Sequence, residues 1–82
     1  MAKLTLTADG RKMRLAREAA DLTVDDLVER LRSEGIERHP DTIRNIELGH
    51  QQPGMQIFNA YARIVGVRRL DLAADEPTAE SA

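Results

Sequence analysis

The sequence of 82 residues contains no cysteine and no tryptophan. Neither a disulfide framework nor a thiolate metal site is available to it. Its aromatic residues are Phe58 and Tyr61 alone, too few for the stacking platform on which single-stranded nucleic acid is held. No apolar run approaches the roughly 18 residues that cross a bilayer. Lys3 stands near the N-terminus without the apolar core of a secretory signal behind it. A soluble, cytoplasmic protein with no membrane partner is expected. Serine occurs only at Ser33 and Ser81, neither in a nucleophile-elbow sequence. His39 and His50 are eleven positions apart and have no further ligand spaced around them. An enzyme, a metal site and a bound cofactor are therefore not expected.

What is present suits one small domain. A chain of this length buries only about 60 to 65% of the surface it exposes when unfolded, which leaves no room for two lobes and a cleft. The formal charge of −2 is unevenly spread. Residues 71–82 carry Asp71, Asp75, Glu76 and Glu80 and no base, so residues 1–70 hold ten acids against twelve lysines and arginines. A mildly basic body with an acidic end must bind any polyanion through placed cations rather than bulk charge. The cluster Arg11, Lys12, Arg14 does not make a membrane anchor, because the opposite face of its segment is alanine-rich and lacks bulky apolar groups.

The apolar periodicity is helical over most of the length. Leu4 and Leu6 alternate with polar neighbours, which fits a short strand or an irregular arm over residues 1–8. From Asp9, the sets Met13, Ala16, Ala20 and Leu15, Ala19, Leu22 recur at spacings of three and four, and the helix is expected to stop at Asp21. Thr23 is a strong N-cap, followed by Asp25 and Asp26 in a favourable first turn. Leu27, Val28 and Leu31 continue that helix towards a stop at Gly35, with Ile36 able to fold back on Leu31. Pro40 suits the first position of a third helix, over residues 40–48, closed by Gly49. Ile43 and Ile46 would face inward, and Asp41, Arg44, Asn45 and Leu48 outward. Residues 50–54 form a polar loop. Met55, Phe58, Tyr61, Ala62 and Val65 mark one face of a fourth helix that ends at Gly66, and Val67, Leu70 and Leu72 begin a short fifth element. The expected fold is all-α: five short helices over residues 9–73, followed by an acidic, disordered tail over 74–82.

The ordered set Gly10-x-x-Met13-Arg14-x-x-Arg17, Leu22-Thr23-x-Asp25-Asp26-Leu27, Thr42-Ile43-Arg44-x-Ile46-Glu47-x-Gly49 and Pro53-x-Met55-x-x-Phe58-x-x-Tyr61-Ala62-x-x-Val65-Gly66-Val67 resembles the helix-turn-helix domain of the lambda-repressor and Cro family. The resemblance covers about residues 10–72. It departs in two places. Val24 stands where the family often has a glutamine that grips the DNA backbone. Sixteen positions separate Leu27 from Ile43, against about eleven in the family, so the second helix or the turn after it must be longer.

The resemblance implies that double-stranded DNA is the partner and that the helix over residues 40–48 enters the major groove. Base edges would be read by Pro40, Asp41, Thr42, Arg44 and Asn45: a thymine methyl by Pro40, a cytosine amino group by Asp41, guanine by Arg44 and adenine by Asn45. Phosphates would be met by Thr23 and Val24 through backbone N–H groups, and by Arg38, His39, His50, Gln51 and Gln52. Arg17 and Glu47 match a charged pair that joins the first and third helices. A small repressor is the implied function, of the phage Cro or repressor type or a controller protein. One short helix reads few base pairs, so a homodimer on a palindromic operator is expected, with a monomer as the other possibility. Ile57, Ile64, Val67, Leu70 and Leu72, or residues 3–7, would supply the dimer surface. The competing reading is a protein-interaction module of the same fold, such as an antitoxin or anti-repressor, which the modest charge of residues 1–70 and the long turn favour and for which the outward Leu48 is the one apolar sign.

Overall fold

The structure, a computed structural model, describes residues 7–74. The expected arm up to residue 6 and the expected acidic tail from residue 75 lie outside the described residues. Four α-helices follow in order: α1 (Gly10–Ala19), α2 (Val24–Ser33), α3 (Pro40–Glu47) and α4 (Met55–Val65). The expected fifth helix is a single 3₁₀ turn, Arg69–Leu72. No strand occurs among the described residues.

Local chemistry sets the ends of these helices. The Asp9 carboxylate accepts from the backbone N–H groups of Arg11 and Lys12, at 3.0 and 3.3 Å, and starts α1. After Ala20 the chain turns through Asp21, the only non-glycine residue with positive φ among those described. At α2 the Thr23 hydroxyl accepts from the Asp26 N–H, while the Asp26 carboxylate accepts from the Thr23 N–H, each at 3.0 Å. This reciprocal cap satisfies two otherwise orphaned donors. The bonds from Thr23, its backbone N–H foremost, hold the Asp26 carboxyl below the ordinary range. At α3, Pro40 occupies the first turn and the Nδ1 atom of His39 accepts from the Asp41 N–H at 3.0 Å.

The stretch that is longer than the family pattern is now resolved into two parts. Helix α2 runs two residues beyond Leu31, and residues 34–39 connect it to α3. Gly35 takes φ 84°, a conformation that other residues adopt only at a cost. The Gly35 N–H bonds the Arg32 carbonyl and the Ile36 N–H bonds the Leu31 carbonyl, at 2.9 and 3.0 Å. Ile36 is thereby folded back into the core, where it is 5% exposed.

Met13, Leu27, Leu31, Ile43, Ile46, Phe58, Tyr61 and Leu72 form the centre of one core. Helix α1 packs on α3 and α4, α2 packs on α3 and α4, and the 3₁₀ turn closes over α1 and α4. Met55, expected on the apolar face of the fourth helix, is 54% exposed, and Leu15 on α1 is 55% exposed. Their places are taken by Arg17 on α1 and by Ile57 on α4, which is buried over most of its circumference. The two ends of the described chain are sewn together. Asp9 N–H bonds the Leu72 carbonyl, Ala74 N–H bonds the Thr7 carbonyl, and the Gln52 amide both accepts from and donates to the Ala8 backbone.

Gly10 makes the closest approach in the fold. A Cβ atom there would lie 2.3 Å from the Ile46 carbonyl oxygen and 2.6 Å from that of Glu47. Both obstacles are backbone, so neither can swing aside. Gly10→Ala should lower the stability by about 1 to 3 kcal/mol through overpacking. At Gly54, the N-cap of α4, no side chain caps the helix and a Cβ would meet nothing within 4 Å. Gly54→Ser should keep or raise the melting temperature. Thermal denaturation of the two variants checks both signs, and a Gly10→Ala protein as stable as the parent would refute the close contact.

Candidate functional site

Helix α3 has only eight residues, too few to hold its shape alone. One side is sunk into the body through Ile43, Ile46 and Glu47. Glu47 is the polar member of that set and is met from two other helices. Arg17 of α1 approaches with the fork edge of its guanidinium: Nε donates to Oε2 at 2.8 Å and Nη2 to Oε1 at 2.9 Å. Its third nitrogen, Nη1, donates to the Leu22 carbonyl at 2.8 Å. Tyr61 of α4 donates its hydroxyl to Glu47 Oε2 at 2.5 Å, with the Met13 carbonyl oxygen 2.9 Å away as a second acceptor. Arg17 and Glu47 are each 8% exposed, and Tyr61 is fully buried. The hydrogen bonds it donates to Glu47 raise the Arg17 guanidinium above its ordinary value. Burial, reinforced by the bond to Glu47, pushes the Tyr61 phenol well above its own.

The opposite side of α3 is open. Asp41, Arg44, Asn45 and Leu48 are exposed, and Pro40 and Thr42 half-buried. Arg44 Nη1 donates to Asp41 Oδ1 at 2.8 Å, one helical turn apart. Arg44 also lines two shallow grooves with Arg17, Glu18 and Val24. The first of them reaches Thr23 and Asp25 at the start of α2, and the second reaches Arg14 and Leu48. The structure therefore brings the α3 face and the N-terminus of α2 onto one surface, with the half-buried Val24 side chain between them. A third groove, lined by Glu29, Arg32, Arg38, His39 and Pro40 among others, continues that surface along the connection.

The residues assigned to phosphate contact fare unequally. The Thr23 N–H is taken up by Asp26, which leaves Val24 and Asp25 as the donors at the start of α2. Two carboxylates, Asp25 and Asp26, stand in that same turn and oppose an incoming anion. His39 is occupied as the cap of α3, a role the sequence did not suggest because histidine is not among the favoured N-caps. Gln52 is committed to Ala8 through both ends of its amide. Arg38 is exposed and donates only to the neighbouring Glu37 carbonyl. His50 and Gln51 are exposed.

Charges on this face occur mostly as local pairs: Arg14 with Glu18, Arg32 with Glu29 and Arg44 with Asp41. Among the described residues no group of three or more His, Cys, Asp or Glu side chains could hold a metal. No described helix is long and apolar enough to cross a membrane. In comparisons with known proteins the chain matches no protein-family model, no curated protein and no solved structure.

The network makes two measurable demands. Removing one partner of a buried, hydrogen-bonded ion pair strands the other, so Glu47→Ala should cost about 3 to 5 kcal/mol. Tyr61→Phe, which loses one bond to a charged acceptor, should cost about 1.5 to 3 kcal/mol. Chemical denaturation of the two variants gives both values. The raised phenol pKa also has a definite sign in pH. The native state keeps the Tyr61 proton at pH values where the unfolded chain, with an ordinary value of 10.0, releases it. The stabilisation is complete below pH about 10 and is lost as pH rises above it. This is the only tyrosine and there is no tryptophan. Phenolate absorbance should therefore appear together with the loss of helical circular dichroism; phenolate signal in a protein still fully helical would contradict the network.

Proposed function

We propose that the protein is a sequence-specific regulator of transcription that binds double-stranded DNA and reads the major groove with α3. One observation carries the reading. A short helix is clamped along one side by Ile43, Ile46 and Glu47, and it exposes Asp41, Arg44 and Asn45 on the other, beside the N-terminus of the preceding helix. Base reading requires this division, because a helix must be seated rigidly before hydrogen-bonding groups at its start can discriminate base edges. The resemblance of residues 10–72 to the lambda-repressor and Cro helix-turn-helix domain supports the same assignment, with α2 and α3 as the motif. Arg44 and Asn45 carry the groups that pair with guanine and adenine. Arg38, His50 and Gln51 are the exposed candidates for phosphates. The simplest mechanism is repression by occupying a promoter.

The proposed dimer needs a surface outside the core. Ile57 and Leu72, assigned to it from sequence, are 5% and 1% exposed and belong to the interior. The remaining candidates are Leu70, 64% exposed, with the half-buried Ile64 and Val67. The protein-interaction reading draws on a specific feature as well: Leu48, 63% exposed, caps the C-terminus of α3 beside charges that are already paired.

Selection of binding sites from random duplex DNA at physiological salt decides between them. An enriched palindrome supports the DNA reading with a dimer, and an enriched asymmetric motif supports it with a monomer. A folded, helical protein that enriches nothing refutes it in favour of a protein partner. On the selected site, Asn45→Ala should relax preference at one base position by about 1 to 3 kcal/mol. Arg38→Ala should weaken all sites about equally and reduce the salt slope by about one. Equal behaviour of the two variants would refute the division into base-reading and backbone-contacting residues.

A further inference from the structure

We infer that Asp41 is a positioning residue that fixes Arg44 for a guanine, so that the target must contain a G·C pair whose recognition depends on the Asp41–Arg44 pair as a unit. The inference rests on the reading of α3 as a base-reading helix and names what that helix selects.

The two arginines of the site use their guanidinium groups in complementary ways. Arg17 presents its Nε and Nη2 edge to the Glu47 carboxylate and its Nη1 to a carbonyl. All of its polar edges are spent inside the fold. Arg44 does the reverse. Its Nη1 is held by Asp41 Oδ1 at 2.8 Å, and its Nε and Nη2 edge has no acceptor among the described residues. That edge is the one with which Arg17 grips two oxygens at once, and a guanine offers the same double acceptor in O6 and N7. Asp41 leaves the double-donor edge intact because it engages the third nitrogen.

Asp41 is anchored through its backbone, whose N–H donates to His39 Nδ1 at 3.0 Å. That nitrogen is an acceptor here and gives the Asp41 carboxylate no hydrogen bond; the carboxylate instead accepts from Arg44. His39 thus fixes the Asp41 backbone, and the Asp41 side chain fixes Arg44, along the start of α3. The side chains of Asp41 and Arg44 are 70% and 53% exposed, and exposed pairs of this kind add little to stability. The consequence of the pair is orientation. A flexible arginine loses rotamer freedom when it docks, and holding it beforehand reduces that loss. The carboxylate also disfavours phosphate close by, so it trades general DNA affinity for preference at one base.

The experiment is site selection from random duplex DNA with the parent, Asp41→Ala, Asp41→Glu and Arg44→Ala proteins, followed by binding to the selected duplex and to unrelated duplex. The parent should enrich a guanine at a position where Arg44→Ala loses the preference. Asp41→Ala should relax the same guanine by about tenfold while binding unrelated duplex more tightly, and Asp41→Glu, which retains the charge one turn from Arg44, should restore part of the preference. If Asp41 served only the helix N-terminus, Asp41→Ala would lower the melting temperature and weaken every duplex alike with the guanine preference intact, which would overturn the inference. A parent protein that enriches a motif lacking the Arg44-dependent guanine overturns it too, while leaving the DNA reading standing. A parent that enriches no motif overturns both.

Discussion

Glu47 is the point on which the arrangement turns. It is one carboxylate near the end of an eight-residue helix, and it is bound by a guanidinium from α1 and a phenol from α4. Burying such a pair costs desolvation that its attraction roughly repays, so its effect lies in where α3 can sit rather than in net stability. An apolar residue in place of Glu47 could rotate or slide against the core; a carboxylate with two fixed partners cannot. The Gly10 contact acts at the same place. The N-terminus of α1 abuts the carbonyl oxygens of Ile46 and Glu47, so the positive end of one helix dipole meets the negative end of the other.

The opposite end of α3 is held by different means. His39 and Pro40 start the helix, and the connection that leads to them is anchored in two places despite its length. Ile36 is folded into the core, and Glu34 pairs with Arg63 of α4. The longer passage from Leu27 to Ile43 therefore does not loosen α3. Its additional residues extend α2 by half a turn and bridge to a helix that is fixed at both ends. A rigid α3 is what the proposed reading requires, since a small displacement of a base-reading side chain forfeits its hydrogen bonds.

Legibility in the sequence followed the range of the interaction. Caps and stops depend on a few neighbouring residues, so those at Thr23, Gly35, Pro40 and Gly66 are legible in the sequence itself. The outward set on α3 was legible because a helix with isoleucines at 43 and 46 must expose Asp41, Arg44 and Asn45. Interactions across the fold were not legible by periodicity. The Arg17–Glu47 pair could be named only through the family resemblance, and the Tyr61 hydroxyl that completes it was read simply as part of an apolar face. Ile57 and Leu72 fit a dimer surface from sequence, but the 3₁₀ turn packs back on α1 and α4, buries its own Leu72 and closes over α4, where Ile57 lies in the core. Gln52 and His39 were read as groups free for a ligand, and the backbone of Ala8 and of Asp41 claims them instead.

The surface charges carry the final step. A protein that bound DNA mainly by attraction would leave its cations unopposed. Here Arg14, Arg32 and Arg44 each have a carboxylate within one helical turn, and Asp25 and Asp26 stand at the helix start where an anion would otherwise dock. On the proposed reading, such a face would release few counterions on binding and so gain little affinity for arbitrary duplex. Discrimination depends on the difference between the right and the wrong sequence, and lowering the common electrostatic contribution leaves that difference untouched. A small domain whose proposed reading helix is this short would have few base contacts to offer. Suppressing general attraction is then the available route to specificity, and it makes the proposed second copy more necessary, because the affinity lost per copy has to be recovered from a second half-site.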